Sequence, residues 1–321
     1  MRVLLTGSSG WLGRHLAPLL RAAGHDVVGL DVAPGADTTV IGSVCDPAIV
    51  DRAMVGVDAV IHAGALHKPD IARHPNQAFV DVNVTGSLNL LEAAVARGCS
   101  RFVFTSTTSL MITRAIRDET AHEAVWLDET SGPLVPRNIY GVTKRAAEEL
   151  CRLTQAQTGL PVVVLRTARF FPEEDDTHRA LSGENMKANE FLNRRLTVED
   201  CAAAHLCALE RAPEIGFGTY VVSARTPFLR EDAVSLKTDA AAVIARYFPD
   251  APALYAERGW QLPARIGRVY DAGAMERDLG FRPATDFGAI LEAIRVRARL
   301  PFSHDSAYVS PRLAIAEYGT A

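Results

Sequence analysis

The stretch that decides the fold is the start of the chain, Met1-Arg2-Val3-Leu4-Leu5-Thr6-Gly7-Ser8-Ser9-Gly10-Trp11-Leu12-Gly13. Its first six residues form an apolar, β-prone run, which is typical of a buried parallel strand. Leucines at helical spacing follow the glycines, at positions 16, 19 and 20. Strand, glycine-rich turn and helix in this order are the context in which such a turn binds a dinucleotide.

The three glycines have separate expected roles in that turn. Gly7 permits the tight bend, Gly10 lets the backbone approach a pyrophosphate, and Gly13 lets the helix pack against the strand. The pyrophosphate would meet the free N–H groups at the start of the helix, at Trp11 and Leu12.

The second predicted strand, 27–31, ends in Asp31. A carboxylate at this place accepts a hydrogen bond from a ribose 2′-hydroxyl but repels a 2′-phosphate. Alternatively, Asp31 only caps a turn. With the glycine turn upstream, the sequence predicts NAD rather than NADP as the cofactor.

Composition argues against several classes of protein. The chain has 321 residues and a net charge of −4, so no basic surface argues for nucleic acid or an anionic membrane. The five cysteines show no metal-ligand spacing and are typical of reduced cytosolic thiols. The first strand begins at residue 2, which leaves no room for a signal peptide, and no apolar run is long enough to span a bilayer. We therefore expect a cytoplasmic protein without a metal site.

Alternating apolar runs and helical periodicity predict the fold. The predicted strands are 2–6, 27–31, 58–62, 101–106 and 162–167, and the predicted helices are 11–23, 76–97 and 138–158. This alternation predicts an α/β fold, a Rossmann-like doubly wound parallel sheet, over residues 1–167. We expect 168–302 to form mainly a smaller C-terminal substrate-binding lobe with returns to the first domain. The tail, 303–321, is expected to be a mobile arm or an oligomer contact.

The candidate chemistry lies in Tyr140-Gly141-Val142-Thr143-Lys144. A tyrosine and a lysine four residues apart project from one face of a helix. Free tyrosine has a pKa near ~10, and a neighbouring positive charge favours the phenolate that a general base requires. The spacing alone arises by chance in long helices, so its meaning depends on the glycine turn.

With that turn, the chain resembles the extended short-chain dehydrogenase/reductase family, also called the NAD-dependent epimerase/dehydratase family. The resemblance runs from residue 1 to about 172. It rests on five ordered motifs, Thr6-Gly7-x-x-Gly10-x-x-Gly13, His62-Ala63-Gly64-Ala65, Asn83-Val84-Thr85-Gly86, Phe102-Val103-Phe104-Thr105-Ser106-Thr107 and Tyr140-x-x-x-Lys144.

The resemblance implies roles for these positions. Tyr140 would be the acid/base, and Lys144 would bind the nicotinamide ribose and lower the tyrosine pKa. Thr107, with Ser106 as the alternative, would hydrogen-bond the reacting oxygen. Thr108 is a further candidate for contact with the substrate. The other residues that it implies for the cofactor are Ala63, Gly64, Ala65 and Asn83. We expect His62 to satisfy a core hydrogen bond, whereas His67 and Lys68 face the cofactor or the solvent.

The chain departs from the family in two places near these motifs. The acidic pair that 4,6-dehydratases carry after the catalytic hydroxyl is replaced by Thr108 and Ser109, which disfavours that dehydration. The usual Asp of the adenine-side Gly-Asp motif is replaced in Gly42-Ser43-Val44, although Ser43 can still accept a hydrogen bond from the adenine amino group.

A third departure bears on the substrate. Arg169 stands where nucleotide-sugar members have an Asn, and the stretch from there to residue 196 is short. Its acidic run, 173–176, would repel a diphosphate, although Arg194 and Arg195 either compensate as anion ligands or are surface charges. These features predict a substrate smaller than a full nucleotide sugar. The segment 113–130 is expected to be an inserted loop that shapes specificity, or only a solvated excursion.

The leading hypothesis is an NAD-dependent oxidoreductase or epimerase that transfers a hydride at a secondary alcohol of a sugar or polyol-like substrate. One alternative is a UDP-sugar 4-epimerase with a shortened substrate lobe, and another is a non-catalytic NAD-binding sensor. The family also implies a homodimer, formed through the helices at 76–97 and 138–158.

Overall fold

A seven-stranded parallel sheet forms the centre of the computed structural model, which describes residues 1–173 and 181–314. In spatial order the sheet is β3-β2-β1-β4-β5-β7-β8. Its strands are β1 (Arg2–Thr6), β2 (Asp26–Asp31), β3 (Val40–Ile41), β4 (Ala59–His62), β5 (Arg101–Thr107), β7 (Val162–Thr167) and β8 (Phe217–Val222). A separate pair consists of β6 (Val125–Leu127) and β9 (Arg268–Tyr270). The chain reverses its direction of growth between β1 and β4, which is where ligands bind in such sheets.

Helices cover both faces of the sheet. They are α1 (Gly13–Ala22), α2 (Pro47–Ala53), α3 (Asn76–Val80), α4 (Gly86–Ala96), α5 (Arg114–Arg117), α6 (Ile139–Thr158), α7 (Gly183–Glu190), α8 (Val198–Ile215), α9 (Ala233–Thr238), α10 (Ala240–Tyr247), α11 (Ala251–Glu257), α12 (Gly273–Leu279) and α13 (Phe287–Arg295). No helix in the described ranges is long and apolar enough to cross a membrane.

The strands are buried on both faces, and alternate side chains enter two different cores. Leu5 and Val103 pack with α1 and α8 in one core, whereas Leu4, Phe102 and Phe104 pack with α4 and α6 in the other. Successive side chains of a strand point to opposite faces, so a sheet covered twice requires continuous apolar runs. The predicted Rossmann-like doubly wound sheet is confirmed.

The structure adds strands that the sequence did not predict. β8 extends the sheet after α8, so residues from 198 to 222 return to the first domain. β3 has only two residues, and β6 and β9 have three each, which is too short to show a period. β6 lies inside the predicted loop 113–130, which therefore contains a helix and a strand rather than only loop.

The predicted helix 76–97 is interrupted at its centre. A π-helical turn, Asp81–Thr85, separates α3 from α4 and carries Asn83. Such turns occur as single insertions in α-helices, frequently at functional sites. Periodicity cannot reveal one extra residue in a turn, because the apolar pattern resumes on the next helix.

A third apolar core lies outside the sheet and belongs to the C-terminal half. It is formed by α7, α9, α10, α11 and α13 and includes Phe191, Tyr255 and Phe287. From residue 303 the chain leaves this core and runs back along the first domain, where Tyr308 packs against Trp11 and Arg312 donates to the Ala65 carbonyl oxygen. The described part of the tail, 303–314, therefore covers part of the first domain, and a mobile arm or an oligomer contact stays a prediction.

Candidate active site

A cavity of about 510 Å³ opens at the carboxyl ends of the strands. Segments that follow β1, β2, β4, β5 and β7 line it, and the C-terminal half and the tail complete its walls. Its position beside the reversal between β1 and β4 is the usual ligand position of this architecture. Most of the predicted site residues lie on its wall, at two ends that different parts of the chain build.

The glycine turn after β1 forms the first end. Gly7 has φ +73°, and a Cβ there would meet Gly64 N at 2.8 Å, so the turn and the loop after β4 lie backbone to backbone. A Cβ on Gly13 would lie 2.2 Å from the Gly7 carbonyl oxygen, which allows only glycine at the start of α1. Gly10, Trp11 and Leu12 line the cavity beside this turn.

Asp31 lies at the end of β2 and also lines the cavity. Its carboxylate accepts hydrogen bonds from Ser9 N–H and Ala33 N–H, each at 3.0 Å. Burial raises the pKa of this carboxyl group, and the two backbone donors oppose that shift. Asp31 therefore caps the turn, as one alternative proposed. Its carboxylate also lies on the cavity wall, where the other alternative places the ribose.

The loops after β3 and β4 complete the wall at this end. Ser43, Val44, Ala63, Gly64 and Ala65 all lie on the cavity. The Ser43 hydroxyl oxygen accepts from Cys45 N–H at 3.1 Å, which fixes this loop locally.

Asn83 forms hydrogen bonds to the loop that follows β4. Its amide nitrogen donates to the Leu66 carbonyl oxygen and to Thr143 Oγ1, each at 3.0 Å, and its oxygen accepts from Leu66 N–H at 2.9 Å. The π-helical turn thus joins the cavity loop to α6. Asn83 lies one layer behind the cavity wall, where it can steady the wall without touching a ligand.

The second end of the cavity is built around Tyr140, the second residue of α6. Asn138 caps this helix, accepting from Gly141 N–H at 2.9 Å. The Thr107 side chain lies close enough to Tyr140 to lower the tyrosine pKa, and Thr107 Oγ1 accepts from Ser109 N–H at 3.1 Å. The end of β5 and the start of α6 therefore present two hydroxyl groups to one point in the cavity.

The alternative hydroxyl groups point elsewhere. Ser106 Oγ donates to Glu148 Oε1 at 2.6 Å, within a buried ion pair of Glu148 with Arg166. Thr108 Oγ1 donates to the Thr167 carbonyl oxygen at 3.3 Å. Of the three candidates, Thr107 is the one whose side chain acts on the pKa of Tyr140.

Burial shifts the pKa of both members of the tyrosine–lysine pair toward the neutral form. It raises the pKa of Tyr140 to about 12 and lowers that of Lys144 to about 7. Lys144 Nζ lies 3.9 Å from the centre of the Phe104 ring. The charges that act on the tyrosine pKa are Arg312, which lowers it, and Asp70, which raises it, rather than the predicted Lys144.

The two histidines of this region are neutral side chains held in the structure. His62 shares hydrogen bonds with Thr6 Oγ1 at 2.7 Å and Ser87 Oγ at 3.1 Å, and burial lowers its pKa to about 3. This is the structural role predicted for it. His67 lines the cavity, its ring is 5.1 Å from that of Phe171, and burial lowers its pKa to about 4.

The predicted substrate arginines occupy different places. Arg169 and Arg194 line the cavity, whereas Arg195 is 3% exposed and is absent from the described wall. The Glu190 carboxylate forms ion pairs with these arginines, at 3.6 Å from Arg169, 3.1 Å from Arg194 and 2.8 Å from Arg195. The expectation for Arg195 is corrected: it neutralises a buried carboxylate.

The acidic run 173–176 falls only partly within the described residues. Glu173 lies on the cavity wall, whereas 174–176 lie outside the described part of the chain. Repulsion of a diphosphate by this run therefore stays a prediction.

Several cavity residues were missed by sequence reasoning. The tail contributes Tyr308, whose ring meets Trp11 edge-on at 5.2 Å, and Arg312, which donates to the Ala65 carbonyl oxygen and to Asp70. Further wall residues that sequence reasoning missed are Arg137, Arg268 and Tyr270, whereas Arg117 belongs to the predicted specificity segment 113–130. The sequence offers no signal for the tail, because the contacts of Arg312 join residues more than 240 positions apart.

The wall fits a dinucleotide along its length. The glycine turn brings bare backbone to the cavity where a pyrophosphate needs close approach. Asp31 and Ser43 offer acceptors to one side, and Tyr140, Lys144 and Thr107 lie at the other end. These residues can hold a cofactor with its adenosine near Asp31 and its reactive ring near Tyr140.

Comparisons with known proteins agree with this arrangement. A UDP-glucose 4-epimerase of Azospirillum brasilense is 34% identical over 176 residues, which are 51% of this chain and 48% of that protein. An L-arabinose 1-dehydrogenase (NAD(P)(+)) of Haloferax volcanii is 29% identical over 230 residues, 70% of this chain and 88% of that protein. The chain spans about half the length of several curated relatives that it matches.

Solved structures show the same fold. A short-chain dehydrogenase/reductase superfamily protein from Agrobacterium tumefaciens with bound NAD superimposes with a TM-score of 0.67 at 25% identity, covering 92% of this chain and 97% of that one. The model of the NAD dependent epimerase/dehydratase family matches residues 3–222. That range contains both ends of the predicted NAD site, from the glycine turn to Lys144. The chain belongs to the NAD dependent epimerase/dehydratase family, whose cofactor is NAD.

Proposed function

We propose that the protein is an NAD-dependent oxidoreductase or epimerase that transfers a hydride at a secondary alcohol of a sugar or polyol-like substrate. The observation that carries this proposal is that Tyr140, Thr107 and Lys144 lie together on the wall of a cavity whose other end holds Asp31. A buried lysine lies one helical turn from the tyrosine. A non-catalytic sensor of NAD would need neither the tyrosine nor the lysine.

The cofactor site extends along the wall from the glycine turn to Lys144. In this proposal Gly7, Gly10 and the N–H groups of Trp11 and Leu12 receive the pyrophosphate, and Lys144 binds the nicotinamide ribose. The remaining residues that would face the cofactor are Asp31, Ser43, Val44, Ala63, Gly64 and Ala65. Bound NAD supplies the acceptor and donor of the hydride.

Tyr140 and Thr107 handle the proton and the oxygen of the substrate. As a phenolate, Tyr140 takes the proton of the substrate hydroxyl group, while Thr107 Oγ1 holds the oxygen that becomes a carbonyl. In the reverse direction, neutral Tyr140 returns the proton to that oxygen. Because burial raises its pKa to about 12, the tyrosine is protonated at neutral pH, and oxidation, which needs the phenolate, should speed up as the pH rises.

The fate of the carbonyl intermediate decides the net reaction. Release gives a dehydrogenase, whereas rotation of the carbonyl compound and return of the hydride to its other face gives an epimerase. Dehydration is disfavoured, since Thr108 and Ser109 follow Thr107 and neither can protonate a leaving hydroxyl group. The second candidate is a UDP-sugar 4-epimerase with a shortened substrate lobe, which the name of the Azospirillum relative favours.

A substrate panel tests the proposal. Free sugars, polyols and UDP-sugars are incubated with the protein and NAD, and NADH absorbance and the isomers formed are measured. We expect turnover of a small sugar or polyol-like alcohol. Turnover of UDP-sugars alone would support the second candidate, and a protein that binds NAD but converts none of these compounds would be a sensor.

The setting of the protein is part of the proposal. All five cysteines are free thiols, which suits the reducing cytoplasm. We also propose a homodimer, formed through α6 and the α3–α4 segment. Val142 and Leu153 of α6 are about half exposed, at 48% and 50%, and are available for such a contact. Light scattering of the purified protein tests this assembly.

A further inference from the structure

Three arginines line the cavity outside the machinery around Tyr140, and we call Arg117, Arg137 and Arg268 the arginine cluster. Arg117 ends α5, Arg137 precedes α6, and Arg268 begins β9. Two of them come from the segment between Thr107 and Tyr140, and the third lies more than 130 residues further on. The pairing of β6 with β9 brings these parts of the chain together.

The members of the cluster are close enough to repel one another. After burial, the charges of Arg117 and Arg268 are the main cause of the lowered pKa of Arg137. Arg268 also acts on Arg194, which continues the line of positive charge toward Arg169. Like charges held together disfavour the charged state and cost free energy in the folded protein.

The carboxylates around the cluster already have partners. Glu190 forms ion pairs with Arg169, Arg194 and Arg195. In the loop that carries Arg117, Asp118 pairs with Arg114 at 3.4 Å and Glu119 pairs with Lys237 at 2.9 Å.

Arg268 has a donor group without an acceptor. Its Nε is buried and has no hydrogen-bond partner within residues 1–173 and 181–314. Arg137 uses one donor, Nε, which binds the Ile112 carbonyl oxygen at 3.2 Å. A buried donor that lacks a partner costs about 1–3 kcal/mol, so a ligand acceptor at this place would be bound with a gain.

We propose that the arginine cluster binds an oxyanion of the substrate, a carboxylate or a phosphate, while a hydroxyl group of the same molecule reaches Tyr140. The proposal rests on the function proposed above and names the class of substrate, an anionic sugar or polyol. Guanidinium groups bind such oxyanions through paired, charge-assisted hydrogen bonds.

In this proposal the oxyanion binds where the arginine cluster lines the wall, and the reacting hydroxyl group lies at Tyr140 on the same wall. Arg137 stands three residues before Tyr140, so the two places are adjacent in the chain. The oxyanion serves to hold the substrate in place.

Binding measurements test this without requiring turnover. The NAD-loaded protein is titrated by calorimetry with D-glucuronate, D-glucose 6-phosphate, UDP-glucose and D-glucose at one low ionic strength, because salt screens exposed charges. We expect at least one of the three anions to bind about 10-fold or more tightly than glucose, the gain of one charge-assisted hydrogen bond. Which anion binds best distinguishes a carboxylate, a phosphate monoester and a nucleotide diphosphate.

Two variants connect the preference to the cluster. Arg268→Gln and the double variant Arg117→Gln/Arg137→Gln should each reduce the preference for the anion by about 10-fold. Arg152→Gln is the control, because that arginine is exposed on α6 and pairs only with Glu149. The double variant changes exposed side chains, so it keeps the test valid if Arg268→Gln fails to fold.

Two results would overturn the proposal: glucose binding as tightly as every anion, or an anion preference that both variants retain. Failure of the proposed function has a different signature. In that case the anion would bind in a cluster-dependent way, but no NADH and no isomer would form from it.

Discussion

The two ends of the cavity are built from different kinds of chain. The cofactor end consists of strand ends and tight turns, where Gly7 and Ala63 directly follow β1 and β4 and Asp31 ends β2. The substrate end consists of short elements and connections, among them α5, β9 and the tail. The first end is set by local sequence patterns, whereas the second depends on contacts between distant segments.

The ends also differ in charge. At the cofactor end the Asp31 carboxylate faces the cavity next to bare backbone, which suits a neutral ribose and a pyrophosphate held by N–H groups. At the substrate end the arginine cluster, Arg169 and Arg194 line the wall, and the buried Glu190 compensates only part of their charge. The comparison teaches that cofactor binding and substrate choice can be changed separately.

The largest effect is expected at Tyr140, where a substitution should lower turnover without changing cofactor binding. Tyr140→Phe removes the acid/base and should lower turnover about 10²–10⁴-fold, while NAD binding stays as in the wild type. Steady-state rates and an NAD titration measure both. Tyr247→Phe is the control, because that hydroxyl group donates to Asp232 away from the cavity. Unchanged turnover in Tyr140→Phe would remove the tyrosine from the reaction.

Glu190 tests how the charges of the substrate end are held. Glu190→Gln leaves the buried Arg195 without its carboxylate and should lower the free energy of unfolding by about 3–5 kcal/mol. Urea denaturation measures this change. Glu149→Gln breaks an exposed pair with Arg152 and should cost less than about 1 kcal/mol. Equal effects of the two substitutions would show that the buried ion pair contributes no more to the free energy of unfolding than the exposed one.

Asp31 tests the choice of NAD at the other end. Asp31→Asn loses a charged acceptor for the ribose, so NAD affinity should fall by about 10–100-fold, while NADP affinity falls less because the repulsion is removed. Cofactor titrations give the ratio. Asp26→Asn, at the exposed start of the same strand, is the matched control. A wild type that binds NADP more tightly than NAD would contradict the argument.

Lys144 gives a smaller effect that depends on pH. The folded protein releases the Lys144 proton above about pH 7, whereas the unfolded chain keeps it up to the ordinary lysine pKa of 10.5. Between these values the unfolded state binds more protons, so the lysine makes the free energy of unfolding rise with pH. Relative to Lys144→Met, the wild type should gain about 1.4 kcal/mol per pH unit in this window. Parallel pH profiles of the two proteins would mean that Lys144 stays charged.

The extent of sequence prediction follows the same division. The five predicted strands and the glycine turn were found because buried parallel strands leave continuous apolar runs. The sequence also directed attention to Thr107 and Tyr140, which lie on the same cavity wall in the folded protein.

The sequence could not predict what depends on distant contacts. Arg195 has the same local signal as Arg194, yet one side chain is buried against Glu190 and the other reaches the cavity. The direction of the tyrosine pKa shift was also missed, because burial sets it and outweighs the opposing charge of Arg312, a residue of the tail. Tertiary packing decides both features.

A crystal structure of the protein with NAD tests the central claim most directly, that one cavity joins a cofactor end to a separate substrate end. The account predicts the adenosine beside Asp31 and Ser43, the pyrophosphate on the glycine turn and the nicotinamide ring beside Tyr140 and Lys144. The wall at the arginine cluster should remain open to a second ligand. NAD bound in the reverse direction, or with its pyrophosphate on the arginine cluster, would contradict it.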